Sequence, residues 1–229
     1  MRHRPRAAGG ERPSRSVWTG LTPILILLFL TQTGSAVHAG ATRRTLTILA
    51  FGDSLTAGHG LPLRKSYPSL LEAALRRDGF QVKLINAGVS GDTTAGGLSR
   101  LDWALGDNPA IAVVELGAND GLRGLKPKQT EANLDAILTK LKRRGVLVLL
   151  TGMYAPPNMG RAFGRRFNAI FPRLAEKYNV LFYPFFLEGV AGKPALNQAD
   201  GLHPNEEGAA IVARRLYPYV RKLIEITRR

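Results

Sequence analysis

The sequence predicts a three-layer α/β sandwich around a five-stranded parallel sheet, and two features carry that expectation. Short, mainly apolar runs recur at 46–51, 82–85, 110–116, 146–150 and 180–182. A strand without polar alternation is covered on both faces. The segments between the runs are long enough for helical crossovers and carry apolar residues at helical spacing. Such βα alternation builds a parallel sheet with helices on either side. The chain has no cysteine, so packing alone must hold it.

Taken in order, residues 1–39 stand apart from the rest. Five arginines and Glu11 precede Ser16, an apolar run centred on Ile24 to Leu30 follows, and Val37-His38-Ala39 closes it. That is the layout of a secretory signal peptide cut after Ala39, leaving one domain, 40–229, in the periplasm or secreted. An uncleaved leader anchored in the inner membrane is the alternative. Strand one ends in Gly52-Asp53-Ser54-Leu55. The next helix places Leu70, Leu71, Ala74 and Leu75 on one side and stops at Asp78-Gly79. Strand two runs into Asn86-Ala87-Gly88 and Ser90-Gly91-Asp92, and strand three into Gly117-Ala118-Asn119-Asp120. A helix with Leu134, Ile137, Leu138 and Leu141 inward stops at Gly145. Residues 154–164 read as a long loop, and the last helix, 207–226, turns Ile211, Val212, Leu216, Val220 and Leu223 inward.

The formal charge of the whole chain is +15. With the five arginines and Glu11 of the leader set aside, 27 basic and 16 acidic residues remain of 32 and 17, a net +11. Pairs such as Arg76-Arg77 and Arg165-Arg166 are scattered rather than gathered in one tract, as on a solvated basic surface. Weak, salt-sensitive contact with anionic lipid is compatible with that field, and no specific nucleic-acid partner is expected. A monomer is the default expectation.

In an open parallel sheet the ligand lies beyond the carboxyl ends of the strands, so the residues after each apolar run matter most. Without the leader only His59 and His203 remain as imidazole bases. His203 has Asp200 three residues before it, a spacing that lets the carboxylate hold Nδ1–H and leaves Nε2 free for Ser54 at the end of strand one. His59 has no comparable partner in the sequence. Acyl transfer also needs donors for an oxyanion, and the Ser54 and Gly91 amides and the Asn119 side chain are placed to supply them. Each segment has a structural alternative when read alone: Gly52-Asp53-Ser54 and Asp200 to His203 as helix caps, Gly91 as a tight turn, Asn119 as a local backbone ligand. Together they put four different necessary roles at one sheet edge.

These blocks resemble those of the SGNH/GDSL hydrolases in order and rough spacing. Within that superfamily the chain is similar to the bacterial arylesterase, acyl-CoA thioesterase I and lysophospholipase L1 group, through the run from Val114 to Gly124 and through Asp200-Gly201-Leu202-His203-Pro204-Asn205. The likeness spans about 45–220, and Tyr154 to Met159 departs from the family's loop. It implies a flavodoxin-like sheet and no metal or other cofactor. It also implies Ser54, Asp200 and His203 as the triad, with Ser54, Gly91 and Asn119 as the oxyanion hole. Asp53 and Asp120 would be supports, and 121–125 a mobile loop beside the acyl site.

The reaction expected on these grounds is hydrolysis of a small acyl ester or thioester through an acyl-enzyme, with Leu55, Leu122, Met153, Tyr154 and Met159 candidates for the acyl pocket. Two rivals stay open. One is a metal-dependent phosphoesterase using Asp53, Asp92, Asn119, Asp120 and His203 as ligands. The other is a non-catalytic module that binds polyanions through its basic face.

Overall fold

The structure, a computed structural model, describes residues 45–228. The expected leader and its cut after Ala39 lie outside them. Five strands, β1 (Leu46–Gly52), β2 (Val82–Gly88), β3 (Ile111–Glu115), β4 (Leu147–Thr151) and β5 (Leu181–Tyr183), form one parallel sheet in the order β2-β1-β3-β4-β5. That is the flavodoxin-like order, whose direction reverses between β1 and β3. All five residues of β3 are buried, as are the last five of β1 and the last four of β4. The edge strand β2 is instead broken by exposed Lys83. Its pairing with β1 continues through the polar Asn86 to Gly52 opposite Gly88, three residues beyond its apolar run.

Among the described residues eight α-helices connect and follow the strands: α1 (Ser54–Ala57), α2 (Tyr67–Arg77), α3 (Thr94–Ala104), α4 (Ala118–Leu122), α5 (Pro127–Arg143), α6 (Arg161–Asn168), α7 (Ile170–Tyr178) and α8 (Glu206–Thr227). Right-handed crossovers put α2 on one face of the sheet and α3, α5 and α7 on the other, and α8 returns to pack on α2. α2 and α5 end as the sequence predicts. Gly79 and Gly145 are left-handed, and the amides beyond them, of Phe80 and Val146, reach back to the carbonyls of Leu75 and Leu141.

Two expectations need correction. The loop from Tyr154 closes at Gly160, because α6 begins at Arg161 and takes Gly164 into its interior. The helix is held by Phe163 and Phe167, four residues apart with ring centroids at 5.7 Å, and by Phe167 set edge-on against Phe171 at 5.6 Å. In α8, Ile211 is only half-buried, and the fully buried stripe includes Ala209, Ala213 and Ile224 beside the expected Val212, Leu216, Val220 and Leu223.

Candidate active site

At the carboxyl edge, β1 turns directly into the four-residue α1. Asp53 caps it, its Oδ1 accepting the Leu55 N–H at 3.0 Å. From β3 next door, the wholly buried Glu115 holds the same turn from beneath. Its Oε2 accepts the Thr56 hydroxyl at 2.8 Å and the Asp53 N–H at 3.3 Å. Gly52 makes this approach possible, since a Cβ there would stand 2.1 Å from Thr56 Oγ1 and 2.5 Å from Glu115 Oε2. The strand end is fixed further by Arg100, which donates to the Gly52 carbonyl at 2.8 Å, the Ala87 carbonyl at 2.9 Å and Asp92 Oδ2 at 2.6 Å.

Ser54, first residue of α1, directs Oγ to His203 Nε2 at 2.9 Å, and His203 Nδ1 lies 2.7 Å from Asp200 Oδ2. With the ring proton on Nδ1, that nitrogen donates to Asp200, and Nε2 is an acceptor for the serine hydroxyl. The other carboxylate oxygen of Asp200 accepts the Leu202 and His203 amides at 2.8 and 3.0 Å, which fixes the turn as well as the ring. These hydrogen bonds, first those from the His203 backbone and side chain, hold the Asp200 carboxyl well below the usual carboxylate range. Beside His203 stands a second imidazole, His59, with ring centroids 4.6 Å apart.

Across the site, Asn119 in α4 donates through Nδ2 to Asp53 Oδ2 at 3.1 Å and to the Asp92 carbonyl at 2.9 Å. The Gly91 carbonyl accepts from Arg123 at 2.9 Å, and its backbone is left-handed with φ of 83°. Among the described residues, neither the Ser54 nor the Gly91 N–H has an acceptor. Asp120 faces away from Ser54. It accepts the Thr94 N–H at 2.8 Å, the Thr94 hydroxyl at 2.6 Å and the Thr130 hydroxyl at 3.1 Å, fastening α3, α4 and α5 together. The residues of the metal reading thus point to different partners, Asp92 to Arg100 and Asp120 to threonines, and among the described residues no three His, Cys, Asp or Glu converge.

Under the nucleophile two buried carboxyl groups share one region, and among the described residues neither forms an ion pair. Burial pushes Asp53 up to about 6, against the hydrogen bonds of Leu55, Glu115 and Asn119 and the charge of His203. Glu115 is raised well above its usual range, by burial first and by the charge on Asp53 second. Its Oε1 is buried without a partner among the described residues.

A cavity of about 460 Å³ opens beside Ser54, and Leu55, Leu122, Met153, Tyr154, Phe185 and Leu187 give it an apolar wall. Tyr154 stacks on Phe185 with centroids 4.4 Å apart. Met159 is not among the lining residues; its methyl lies where a Cβ on Gly124 would come within 2.7 Å, beneath the turn after α4.

A model of the GDSL-like lipase/acylhydrolase family matches residues 50–211, which include every residue of this constellation. The chain belongs to that family. The GDSL family relatives include an arylesterase of Vibrio mimicus, 43% identical over 176 residues that cover 76% of this chain and 88% of that protein. Another is the thioesterase 1/protease 1/lysophospholipase L1 of Escherichia coli K12, 39% identical over 205 residues, covering 86% of this chain and 92% of the relative. Among solved structures, the esterase EstA from Pseudoalteromonas, inhibited by monoethylphosphonate, superposes with a TM-score of 0.74 at 36% identity, covering 78% and 98% of the two chains.

Against the sequence reading, the structure brings Ser54, His203, Asp200, Gly91, Asn119 and Asp53 to one edge, places Asp120 one layer back and leaves Met159 outside the cavity. Two residues of the neighbourhood went unread, and a third was set aside. Glu115 sits in an apolar run, where one acid looks like a strand's solvent-facing end, and Arg100 lies among scattered basic residues. His59 was visible, but only the fold sets it against His203. It follows the left-handed Gly58, and its amide returns to the Ser54 carbonyl at 3.0 Å.

Proposed function

We propose that the protein is a serine carboxylic-ester hydrolase that works through an acyl-enzyme on Ser54. The observation that carries the reading is the Ser54 Oγ to His203 Nε2 distance of 2.9 Å at the wall of an apolar cavity. A serine hydroxyl becomes a competent nucleophile when an oriented base takes its proton. In the proposed sequence His203 Nε2 accepts the Ser54 proton as Oγ attacks the acyl carbonyl. Asp200 steadies the imidazolium through Nδ1–H. The tetrahedral oxyanion is met by the Ser54 and Gly91 amides and by Asn119, whose Nδ2 turns one donor from its resting partners. His203 then protonates the leaving alcohol or thiol. Water, deprotonated by the same imidazole, releases the acid and restores the serine. Asp53 and Glu115 take no part in the bond changes; they hold α1 and Asn119 in place.

The substrate class is a small acyl ester or thioester, with aryl esters, acyl-CoA thioesters and lysophospholipids meeting the same chemistry. The proposal includes export, with removal of residues 1–39, and contact of the basic surface with anionic lipid. The test is kcat/KM across nitrophenyl esters and acyl thioesters of rising chain length, run beside Ser54→Ala. Turnover by the wild type and only background from the variant is expected, and an active Ser54→Ala protein would overturn the scheme. Asn119→Ala is expected to lower kcat by about 10²–10³ with a much smaller change in KM.

A further inference from the structure

Seven large apolar side chains are left exposed among the described residues, and three of them, Leu122 (47%), Tyr154 (50%) and Leu202 (49%), line the cavity that holds Ser54. They come from three separate segments, the end of α4 and two loops, so they ring its mouth. The chain around Leu122 and Tyr154 is basic, whereas Asp200, Glu206 and Glu207 flank Leu202. Residues 121–130 contain Arg123, Lys126 and Lys128 but no acid, and residues 153–175 contain no acid at all. Within the second stretch α6 turns Phe163 and Phe167 inward and leaves Arg161, Arg165 and Arg166 exposed on its other side. None of these six cations forms an ion pair among the described residues, whereas the helix flanks carry Arg76 with Glu72, Lys140 with Asp102 and Arg173 with Glu131. A basic patch alone is satisfied by water. An apolar rim with cations in the Leu122 and Tyr154 segments beside it gains more from a surface that is apolar beneath and negative at its face.

We propose that this face docks on an anionic phospholipid bilayer, with Leu122, Tyr154 and Leu202 among the headgroups and the α6 arginines on the phosphates. The cavity mouth then opens toward the lipid. The use of such docking, delivering acyl substrate from the membrane, rests on the ester-hydrolase reading; the docking itself does not. No helix among the described residues is long and apolar enough to cross a membrane, and the contact needs none.

The test is flotation with vesicles of phosphatidylcholine alone and of phosphatidylcholine mixed with phosphatidylglycerol, every variant carrying the same N-terminus. Binding to the anionic vesicles that weakens steeply with salt is expected, and it should survive in Ser54→Ala. Reversing Arg161, Arg165 and Arg166 together to Glu should reduce that binding at least about tenfold, while turnover of a soluble short-chain ester stays within about twofold. The same reversal at Lys142, Arg143 and Arg144, at the far end of α5, should change binding by less than about twofold. Equal loss from both triple variants would reduce the effect to net charge and overturn the proposal. So would equal binding to both vesicle types, or a preference for a DNA duplex that the α6 variant abolishes with no vesicle binding. A protein that binds vesicles but hydrolyses no ester would leave the docking standing and sink the catalytic reading instead.

Discussion

The Asp53 carboxyl accepts the Leu55 N–H and the Asn119 amide, and its burial raises it from 3.8 to about 6. A carboxyl raised on folding contributes stability that is full below its unfolded value and is lost as the pH rises through the folded one. Ionised Asp53 is therefore a burden at neutral pH, on the order of 2–3 kcal/mol. Asp53→Asn removes it. The variant's stability relative to wild type, from urea unfolding, is expected to rise by about that amount between about pH 3 and about pH 7; a difference that does not vary with pH would contradict this. The same variant sets an amide donor against the Nδ2 of Asn119, so kcat is expected to fall at least about tenfold. Glu115 makes the complementary case. Because burial favours its uncharged form and its Oε2 accepts both hydrogen bonds, as an amide oxygen can, Glu115→Gln should keep most of the activity, whereas Glu115→Ala leaves the Thr56 hydroxyl and the Asp53 N–H buried without an acceptor. A loss of about 2–4 kcal/mol in unfolding free energy is expected for Ala, and a Gln variant as damaged as Ala would show that charge on Glu115 is needed.

Elements were legible where one periodic pattern met one stop signal. α2 and α5 show apolar residues every three or four positions followed by Asp-Gly and Arg-Gly, and the structure ends both helices there. α6 escaped notice because its interior Gly and three arginines read as loop, while the two phenylalanines that hold it act through Phe171 of the next helix. β2 was read short because its last three residues pair by backbone alone, needing no apolar side chain. Between elements the clearest joint is Asp120, buried where α3, α4 and α5 meet. Asp120→Ala strands one amide and two hydroxyls, and an unfolding penalty of about 3–5 kcal/mol is expected by urea titration. A variant of wild-type stability would show that these contacts are replaced by water.

At the scale of the whole molecule, the site exists because the sheet reverses its winding between β1 and β3, which leaves a crevice at their carboxyl ends. Ser54 follows β1, Gly91 follows β2 and Asn119 follows β3, and Asp200 with His203 reach the same edge from the loop before α8. This much was legible, since apolar runs locate strand ends and parallel strands gather them on one side. The fit beneath the nucleophile was not. Glu115, Thr56 and Gly52 become a unit only through the β1–β3 register that sets Gly52 opposite Glu115, and no local pattern encodes a register between strands sixty residues apart. The sheet that enforces this geometry is buried through its centre, so Leu149→Ala in β4 should cost about 2–5 kcal/mol while leaving kcat near wild type below its melting point.

The central claim is that Ser54 is activated by His203 at the edge of the sheet. Its most direct measurement is treatment of the native protein with a reactive organophosphonate ester, followed by intact-mass analysis and peptide mapping. One adduct per chain on the Ser54 peptide is expected, with none in Ser54→Ala and labelling slowed by at least about 10³ in His203→Ala. Modification at another residue, or an unmodified Ser54 in a folded protein, would contradict the account.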